Sequence, residues 1–256
     1  MRNADTVALA AVLTLLLAGC GGTKSDSPAS PTTPGSPTSS VAAALQTLST
    51  KAIYFGHQSV GYNIMDGVQA LIAANPGSAL KVEETSAPAS MRKGTFAHAS
   101  NGSNGDPVGK TAAFDASLGR GIGTAVDIAF FKFCYVDVEA STDVAGVFAD
   151  YRSRMAALAA AYPGVRLVHV TVPLTTGASR DNAAREQFND LVRQAYSGKS
   201  PLFDLAKVES TRPDGSVEAY NGVRALVASY SSDGGHLNAT GANVVSTALV
   251  VYLASL

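Results

Sequence analysis

The 256-residue chain has no tryptophan and only two cysteines, and its formal net charge at pH 7 is −1. Without tryptophan, and with aromatic residues at 7%, the composition offers no signature of sugar stacking. A nearly balanced charge creates no field that would attract nucleic acid or another polyanion, so neither is expected as a partner. If Cys20 is modified, as argued below, Cys134 is the only remaining thiol and an intrachain disulfide is excluded.

Metal-binding patterns and internal repeats are also missing from the sequence. The histidines at 57, 98, 169 and 236 show no His-x-x-x-His spacing, and no Cys-x-x-Cys pair occurs. Such spacings bring several ligands to one metal ion. We therefore predict a protein without a metal or another cofactor, and we expect a monomer.

The N-terminus has the features of an export signal. Arg2 supplies a positive charge, and residues 7–17 form an apolar run that is short for a membrane span. The sequence Leu17-Ala18-Gly19-Cys20 resembles the lipobox of bacterial lipoproteins, in which the signal is removed before a cysteine that is then acylated. The resemblance implies a signal peptide at 1–19, a lipidated Cys20 and a cell-envelope protein that meets the membrane only through its lipid anchor. An ordinary secretory signal with an incidental cysteine is the alternative.

Two further features complete the predicted organisation. Gly21, rather than an aspartate, follows the cysteine, so the lipoprotein resemblance favours the outer membrane if the source has two membranes. Residues 20–41 are rich in Ser, Thr, Pro and Gly and bury too little apolar surface to fold, which predicts a disordered linker. Residues 42–256 have a globular composition and the length of a single α/β domain.

Apolar runs alternate with helical patterns along this domain, as in repeated β-α-β units. Five runs are predicted as strands, at residues 52–55, 80–85, 125–138, 165–172 and 202–205. The polar, glycine-rich segment 86–105 is predicted as a long surface loop, and Asp106-Pro107 as the start of a helix. The pattern predicts a flavodoxin-like three-layer α/β/α sandwich with a five-stranded parallel sheet. In such folds the functional site lies at the carboxyl ends of the strands.

A serine follows the first predicted strand, in Gly56-His57-Gln58-Ser59. A strand that enters a glycine turn and continues into a helix exposes the serine Oγ and directs backbone N–H groups to one point. That arrangement suits a nucleophile whose reaction develops an oxyanion. The alternative is that Ser59 simply caps the helix.

A second polar segment, Asp233-Gly234-Gly235-His236, precedes the last predicted helix at residues 240–253. An aspartate three residues before a histidine can fold back to accept a hydrogen bond from Nδ1–H, which leaves Nε2 free to take a proton from a serine. By itself the pattern is common, and a polar turn before a helix capped by Asn238 or Thr240 is the alternative.

Taken together, the two segments resemble the SGNH/GDSL hydrolase superfamily, whose nucleophilic serine follows the first strand and whose Asp-x-x-His precedes the last helix. The resemblance extends over nearly all of residues 42–256 and implies the SGNH hydrolase fold. It implies Ser59 as nucleophile, His236 as general base and Asp233 as the orienting carboxylate. It also implies an oxyanion-hole glycine, best matched by Gly105, with Gly102 as the second choice.

The sequence departs from the family pattern in two places. The usual Gly-Asp-Ser is one residue longer here, and the usual Gly-x-Asn-Asp falls on Cys134-Tyr135-Val136-Asp137, which lacks the oxyanion-hole asparagine. Loss of one such donor can cost about 3–4 kcal/mol of transition-state stabilisation. Asn104 or Asn101, in the segment predicted as a loop, could supply the missing amide.

Three further polar residues need an explanation. His57, beside the serine, is expected to build the turn rather than to bind substrate. Lys132 lies in an apolar strand, where an unpaired ammonium is costly, and it is expected to pair with Glu83 or Asp204. Arg185 shares a helix face with Asn189, and both are expected to face solvent or anchor a loop.

These observations predict a serine esterase that hydrolyses carboxylic esters through an acyl-enzyme. The expected substrate is a small ester or an acylated glycan, with O-acetyl groups on carbohydrate favoured by the envelope location. Two alternatives stay open: a non-catalytic glycan-binding surface lipoprotein on a decayed hydrolase fold, and an O-acyltransferase for envelope polysaccharide.

Overall fold

The computed structural model describes residues 37–256, with side chains from Ser40 onward. The predicted signal peptide, Cys20 and most of the predicted linker lie outside the described residues, so the lipid anchor stays a prediction. Helix α1 (Pro37–Leu48) begins inside the range predicted as linker, and its Val41 is buried in the core. Within the described part of the chain, no helix combines the length and the apolar character needed to cross a membrane.

A parallel sheet of six strands forms the centre of the domain, in the order β2-β3-β1-β4-β5-β6. Its strands are β1 (Ala52–His57), β2 (Lys81–Glu84), β3 (Thr95–Ser100), β4 (Ile128–Phe131), β5 (Arg166–Val170) and β6 (Leu202–Phe203). All six residues of β1 are buried, as expected for a strand covered on both faces. Because β1 lies inside the sheet, the turn that follows it lies near the middle of the edge formed by the carboxyl ends of the strands.

The prediction of five strands is wrong by one, because the segment predicted as a loop contains β3. β3 lies between β1 and β2, and its register pairs Phe55 with His98. Its sequence, Thr-Phe-Ala-His-Ala-Ser, mixes small, polar and apolar residues, so no continuous apolar run marks it. His98 is buried here through a hydrogen bond from one ring nitrogen to another, between His57 Nε2 and His98 Nδ1 at 2.9 Å.

Helices cover both faces of the sheet and complete the predicted three-layer α/β/α sandwich. One core lies under α1, α2 (Val60–Ala73), α6 (Leu205–Glu209) and α7 (Ala239–Ala254). The other lies under α3 (Pro107–Gly119), α4 (Val144–Ala161) and α5 (Arg180–Tyr196). Asp106 caps α3 by accepting a hydrogen bond from the Gly109 N–H, and Pro107 occupies the first turn, as predicted.

Beyond β6 the chain forms a small antiparallel hairpin, β7 (Ala219–Tyr220) and β8 (Val223–Arg224). Asn221 and Gly222 have φ values of 51° and 81°, which is the left-handed conformation that a two-residue hairpin turn requires. The Leu226 N–H donates to the Thr175 carbonyl at 3.1 Å, so the hairpin is attached to the segment that follows β5.

Three of the four histidines are buried on sheet strands: His57 on β1, His98 on β3 and His169 on β5. Burial lowers the pKa of His57 to about 2 and the pKa of His169 to about 4, and it also lowers the pKa of His98. Burial has the opposite effect on a carboxyl group, raising the pKa of Glu209 at the end of α6 to about 8.

These shifts predict that the protein loses stability in mild acid. Below about pH 6.5 the unfolded chain takes up protons on histidines that the folded chain keeps neutral, so the free energy of unfolding falls as pH decreases. Glu209 has the opposite effect on stability. The folded chain keeps it protonated, whereas the unfolded glutamate is ionised above about pH 4.3, so at this residue the folded state binds one proton more. We expect a net slope of roughly 1–2 kcal/mol per pH unit between pH 6 and pH 5, measured by urea unfolding. Glu209→Gln removes the opposing proton and steepens the slope; a flat profile would contradict the prediction.

Candidate active site

Ser59 occupies the turn between β1 and α2 in a strained backbone conformation. Its φ and ψ are 47° and −107°, and it is one of two non-glycine residues with positive φ in the described chain. Such conformations cost about 1–3 kcal/mol and persist only when the surrounding structure enforces them. Although Ser59 stands at the N-cap position of α2, its side chain makes no capping hydrogen bond. The structure therefore does not support a simple capping role for Ser59.

The Ser59 side chain is instead joined to His236 and, through it, to Asp233. Ser59 Oγ forms a hydrogen bond with His236 Nε2, although 177 residues separate the two in sequence. On the other side of the ring, His236 Nδ1 donates to Asp233 Oδ2 at 2.7 Å. The structure thus brings all three predicted residues into one hydrogen-bonded chain, with Nε2 placed to accept the serine proton.

The Asp233 carboxylate organises the loop that carries His236. Its Oδ1 accepts the N–H groups of Gly235 at 2.9 Å and of His236 at 2.8 Å. The Gly235 N–H, the His236 ring and the His236 N–H together hold the pKa of Asp233 well below its ordinary value. The carboxylate therefore stays ionised across the pH range in which an imidazole titrates, and it can stabilise a positive charge on His236.

Neighbouring elements fix this loop against the rest of the edge. Asn63, on the first turns of α2, accepts the Leu237 N–H at 3.2 Å, and the Thr176 N–H donates to the Gly234 carbonyl at 2.9 Å. The Tyr135 ring meets the His236 ring edge-on, with 5.7 Å between centroids. A Cβ on Gly235 would lie 2.8 Å from that tyrosine ring, which explains the glycine. None of these three contacts was predicted from the sequence, because each joins segments that are far apart in the chain.

The oxyanion-hole prediction for Gly105 does not fit the structure. Its N–H donates to Asp137 Oδ1 at 2.7 Å and is therefore not available to a reacting carbonyl oxygen. Gly102, the second choice, is better placed, since its carbonyl accepts from the side chain of Gln58, the residue before Ser59, at 2.7 Å. Within residues 37–256 the N–H groups of Gly102 and Ser59 have no hydrogen-bond acceptor. These two N–H groups are therefore free to bind an oxyanion, whereas the Gly105 N–H is not.

A buried ion pair holds the segment from 101 to 105 in place. Lys110 Nζ contacts Asp137 Oδ2 at 2.6 Å, and both side chains are fully buried. The same ammonium donates to Asn104 Oδ1 at 2.8 Å, so the Asn104 amide is fixed by its oxygen and Nδ2 stays a candidate third donor. Asn101 is not such a candidate, because its Nδ2 already donates to the Lys110 carbonyl inside the protein. Asp137 thus connects the segments after β3 and after β4.

His57 and Lys132 lie behind the site rather than in it. His57 is fully buried against His98, and a Cβ on Gly61 would approach its ring to 2.2 Å, so His57 shapes the turn around Ser59. Lys132 does not pair with Glu83 or Asp204, which instead bind Arg92 and Arg193. Its ammonium donates to the Phe133 carbonyl at 3.2 Å and lies 3.6 Å from Cys134 Sγ. Burial lowers the pKa of Lys132 accordingly.

Arg185 and Asn189 anchor loops, and both are buried rather than solvent-facing. Arg185 Nε donates to the carbonyls of Tyr135 and Val138, and its Nη1 donates to Thr175 Oγ1 at 2.9 Å. It therefore connects the segment after β4, which contacts His236, with the segment after β5.

Among the described residues, neither a metal-binding cluster nor the cavity between α6 and α7 coincides with this site. Among the described residues, no group of three His, Cys, Asp or Glu side chains is arranged to hold a metal ion. A cavity of about 620 Å³ lies between α6 and α7, lined by Val208, Val244 and Tyr252 among others, and none of Ser59, Asp233 and His236 borders it.

No family model and no curated protein matches the chain. Among solved structures, it is similar to a protein of Streptococcus pneumonia provisionally described as a platelet activating factor, with 14% identity and a TM-score of 0.52 over 85% of this chain and 92% of that one. It also resembles an acetyl esterase mutant with acetate ion, with 16% identity and a TM-score of 0.44 over 76% of this chain and 91% of that one. A carbohydrate esterase family 3 structure from Talaromyces cellulolyticus gives 16% identity and a TM-score of 0.43, with 79% and 94% covered. At these identities the likeness concerns the fold.

Proposed function

We propose that the protein is a serine ester hydrolase of the SGNH/GDSL type that works through an acyl-enzyme. The observation that carries the proposal is the hydrogen-bonded chain from Ser59 through His236 to Asp233, with a strained serine at the carboxyl end of the central strand. A serine that only caps a helix needs neither the strain nor the histidine. A decayed, glycan-binding fold would not need to keep Ser59 within hydrogen-bond reach of His236.

The proposed reaction uses each group once in each half. Ser59 Oγ attacks the ester carbonyl while His236 Nε2 takes its proton, and the Ser59 and Gly102 N–H groups bind the oxyanion. The C–O bond to the alcohol then breaks, and His236 returns the proton to the leaving oxygen. A water molecule, deprotonated by His236, then attacks the acyl carbon. The bond from that carbon to Ser59 Oγ breaks, His236 returns the proton to Oγ, and the acid leaves. Asp233 keeps the ring oriented and stabilises its positive charge.

The proposed substrates are carboxylic esters with a small acyl group, and O-acetyl groups on carbohydrate are favoured. Support for this choice is the envelope location expected from the N-terminal sequence. An O-acyltransferase would share the first half-reaction and pass the acyl group to a sugar hydroxyl instead of water. The ratio of free acetate released to acetyl ester consumed distinguishes the two activities. A hydrolase gives a ratio of one, whereas a transferase in the presence of its acceptor gives a ratio below one.

Covalent labelling tests the proposal directly. We expect the full-length protein to hydrolyse p-nitrophenyl acetate and to be labelled by a fluorophosphonate, because the activated Ser59 Oγ attacks both. Peptide mass spectrometry should find the adduct on the peptide that contains Ser59. A folded protein, by circular dichroism, that neither turns over the ester nor takes the label would refute the esterase and favour the glycan-binding alternative.

A further inference from the structure

A second cavity, of about 300 Å³, lies between the N-terminus of α5 and the β7–β8 hairpin. One wall is the segment from Gly177 to Arg180, and the other is formed by Tyr220, Asn221 and Val223. Its volume is at the lower end of the range for small-molecule sites and suits a single ring rather than a long chain.

The cavity is attached to the loop that carries the general base. Thr176, whose N–H donates to the Gly234 carbonyl at 2.9 Å, directly precedes the cavity residue Gly177. On the hairpin side, Arg224 Nη1 lies 3.7 Å from Glu186 Oε2 on α5, and the Leu226 N–H donates to the Thr175 carbonyl. Both walls are thus attached to the segment at 175–176, which is itself hydrogen-bonded to the His236 loop.

The chemistry of ester cleavage indicates which part of a substrate would lie there. His236 must return a proton to the leaving oxygen, so the leaving alcohol has to be within hydrogen-bond reach of His236 Nε2. The acyl group, in contrast, is bonded to Ser59. A cavity joined to the His236 loop through Thr176 is therefore a candidate for binding the alcohol part of the substrate.

The lining residues combine one exposed aromatic ring with polar side chains. Tyr220 is 40% exposed, although large apolar or aromatic side chains are mostly buried in this domain. Within residues 40–256, the side chains of Arg180 and Asn221 have no hydrogen-bond or ion-pair partner. A sugar ring presents an apolar face to an aromatic ring and hydroxyl groups to amide and guanidinium donors.

We propose that this cavity is the subsite for the sugar ring of an acylated glycan, with Tyr220 as its stacking platform and Arg180 and Asn221 as its polar contacts. The inference rests on the proposed esterase function and assigns the alcohol side of the same reaction. Tyr220 is a specificity-determining residue in this assignment: it binds the glycan and takes no part in the chemistry at Ser59.

Kinetics on two kinds of ester test the assignment. The substrates are p-nitrophenyl acetate, which has no sugar, and a panel of partially O-acetylated oligosaccharides of glucose, galactose, xylose and glucuronate. We expect Tyr220→Ala to raise KM and to lower kcat/KM about tenfold or more on the oligosaccharides that the wild type cleaves. Turnover of p-nitrophenyl acetate should change less than about twofold, and Tyr220→Phe, which keeps the ring, should restore most of the glycan activity. Val217→Ala is the matched control, since Val217 is 47% exposed near the hairpin but outside the cavity.

Three results would overturn the assignment. The first is a Tyr220→Ala variant with the same kcat/KM on the oligosaccharides as the wild type. The second is a Tyr220→Ala variant that loses as much activity on p-nitrophenyl acetate as on the oligosaccharides. The third is a wild type that cleaves p-nitrophenyl acetate but no oligosaccharide of the panel. A wild type that neither cleaves any ester nor takes a fluorophosphonate label refutes the esterase instead. In that case, calorimetric titration with the same oligosaccharides decides whether a Tyr220-dependent glycan site exists without the chemistry.

Discussion

Alanine at Ser59 and alanine at His236 are each expected to lower kcat for p-nitrophenyl acetate by at least about 10³-fold, and the double variant by no more than either alone. The two side chains form one proton-transfer unit, so removing either removes the whole unit, and such effects are grossly non-additive. Turnover of purified variants at pH 8 measures this. Ser59→Ala should also lose fluorophosphonate labelling.

Three comparisons make the prediction specific to the hydrogen-bonded chain. The Asp233→Asn variant should retain about ten- to a hundredfold more activity than His236→Ala, because Asp233 acts only through the His236 ring. Ser59→Gly should be as inactive as Ser59→Ala but more stable by about 1 kcal/mol, since glycine tolerates a φ of 47°. Additive losses in the double variant would show that Ser59 and His236 do not act as one unit.

The periodicity of the sequence was sufficient to predict the layers of the fold but not the full sheet. Strands such as β4, with Phe130 and Phe131, are continuous apolar runs that can be recognised without any partner. β3 has no such run, and its buried His98 becomes acceptable only through the hydrogen bond to His57 on β1. In a sequence, a buried polar residue whose hydrogen-bond partner is distant in the chain cannot be distinguished from an exposed loop residue.

The site divides in the same way between local and long-range determinants. Asp233 and His236 are three residues apart and their hydrogen bond is local, so the spacing predicted it. The choice between Gly102 and Gly105 depends on Asp137, which is 32 residues from Gly105 and takes its N–H. The position of Asp137 at the end of the segment aligned with Gly-x-Asn-Asp was the one available signal. Sequence spacing carries no information on which of two nearby glycines such a carboxylate binds.

Lys110 and Asp137 provide the second large expected effect, on stability. The pair is fully buried, and the carboxylate also accepts the Cys134 N–H at 2.6 Å and the Gly105 N–H at 2.7 Å. Replacing one member of a buried pair leaves the other charge without compensation, which costs about 3–5 kcal/mol. A pair of the same residue types at the surface, the exposed Lys93 and the half-buried Asp127, is worth less than about 1 kcal/mol because water screens it.

We therefore expect Lys110→Met to lower the free energy of unfolding by about 3–5 kcal/mol and the matched control Lys93→Met by less than about 1 kcal/mol, both measured by urea unfolding at pH 7. Asp137→Asn should cost a similar amount, and the Lys110→Met/Asp137→Asn double variant should cost at least about 2 kcal/mol less than the sum, because it contains no unpaired charge. Strictly additive costs would mean that the two charges do not compensate each other. Since Asp137 also fixes the segment that contains Gly102, the single variants should lose ester turnover even at temperatures where they remain folded.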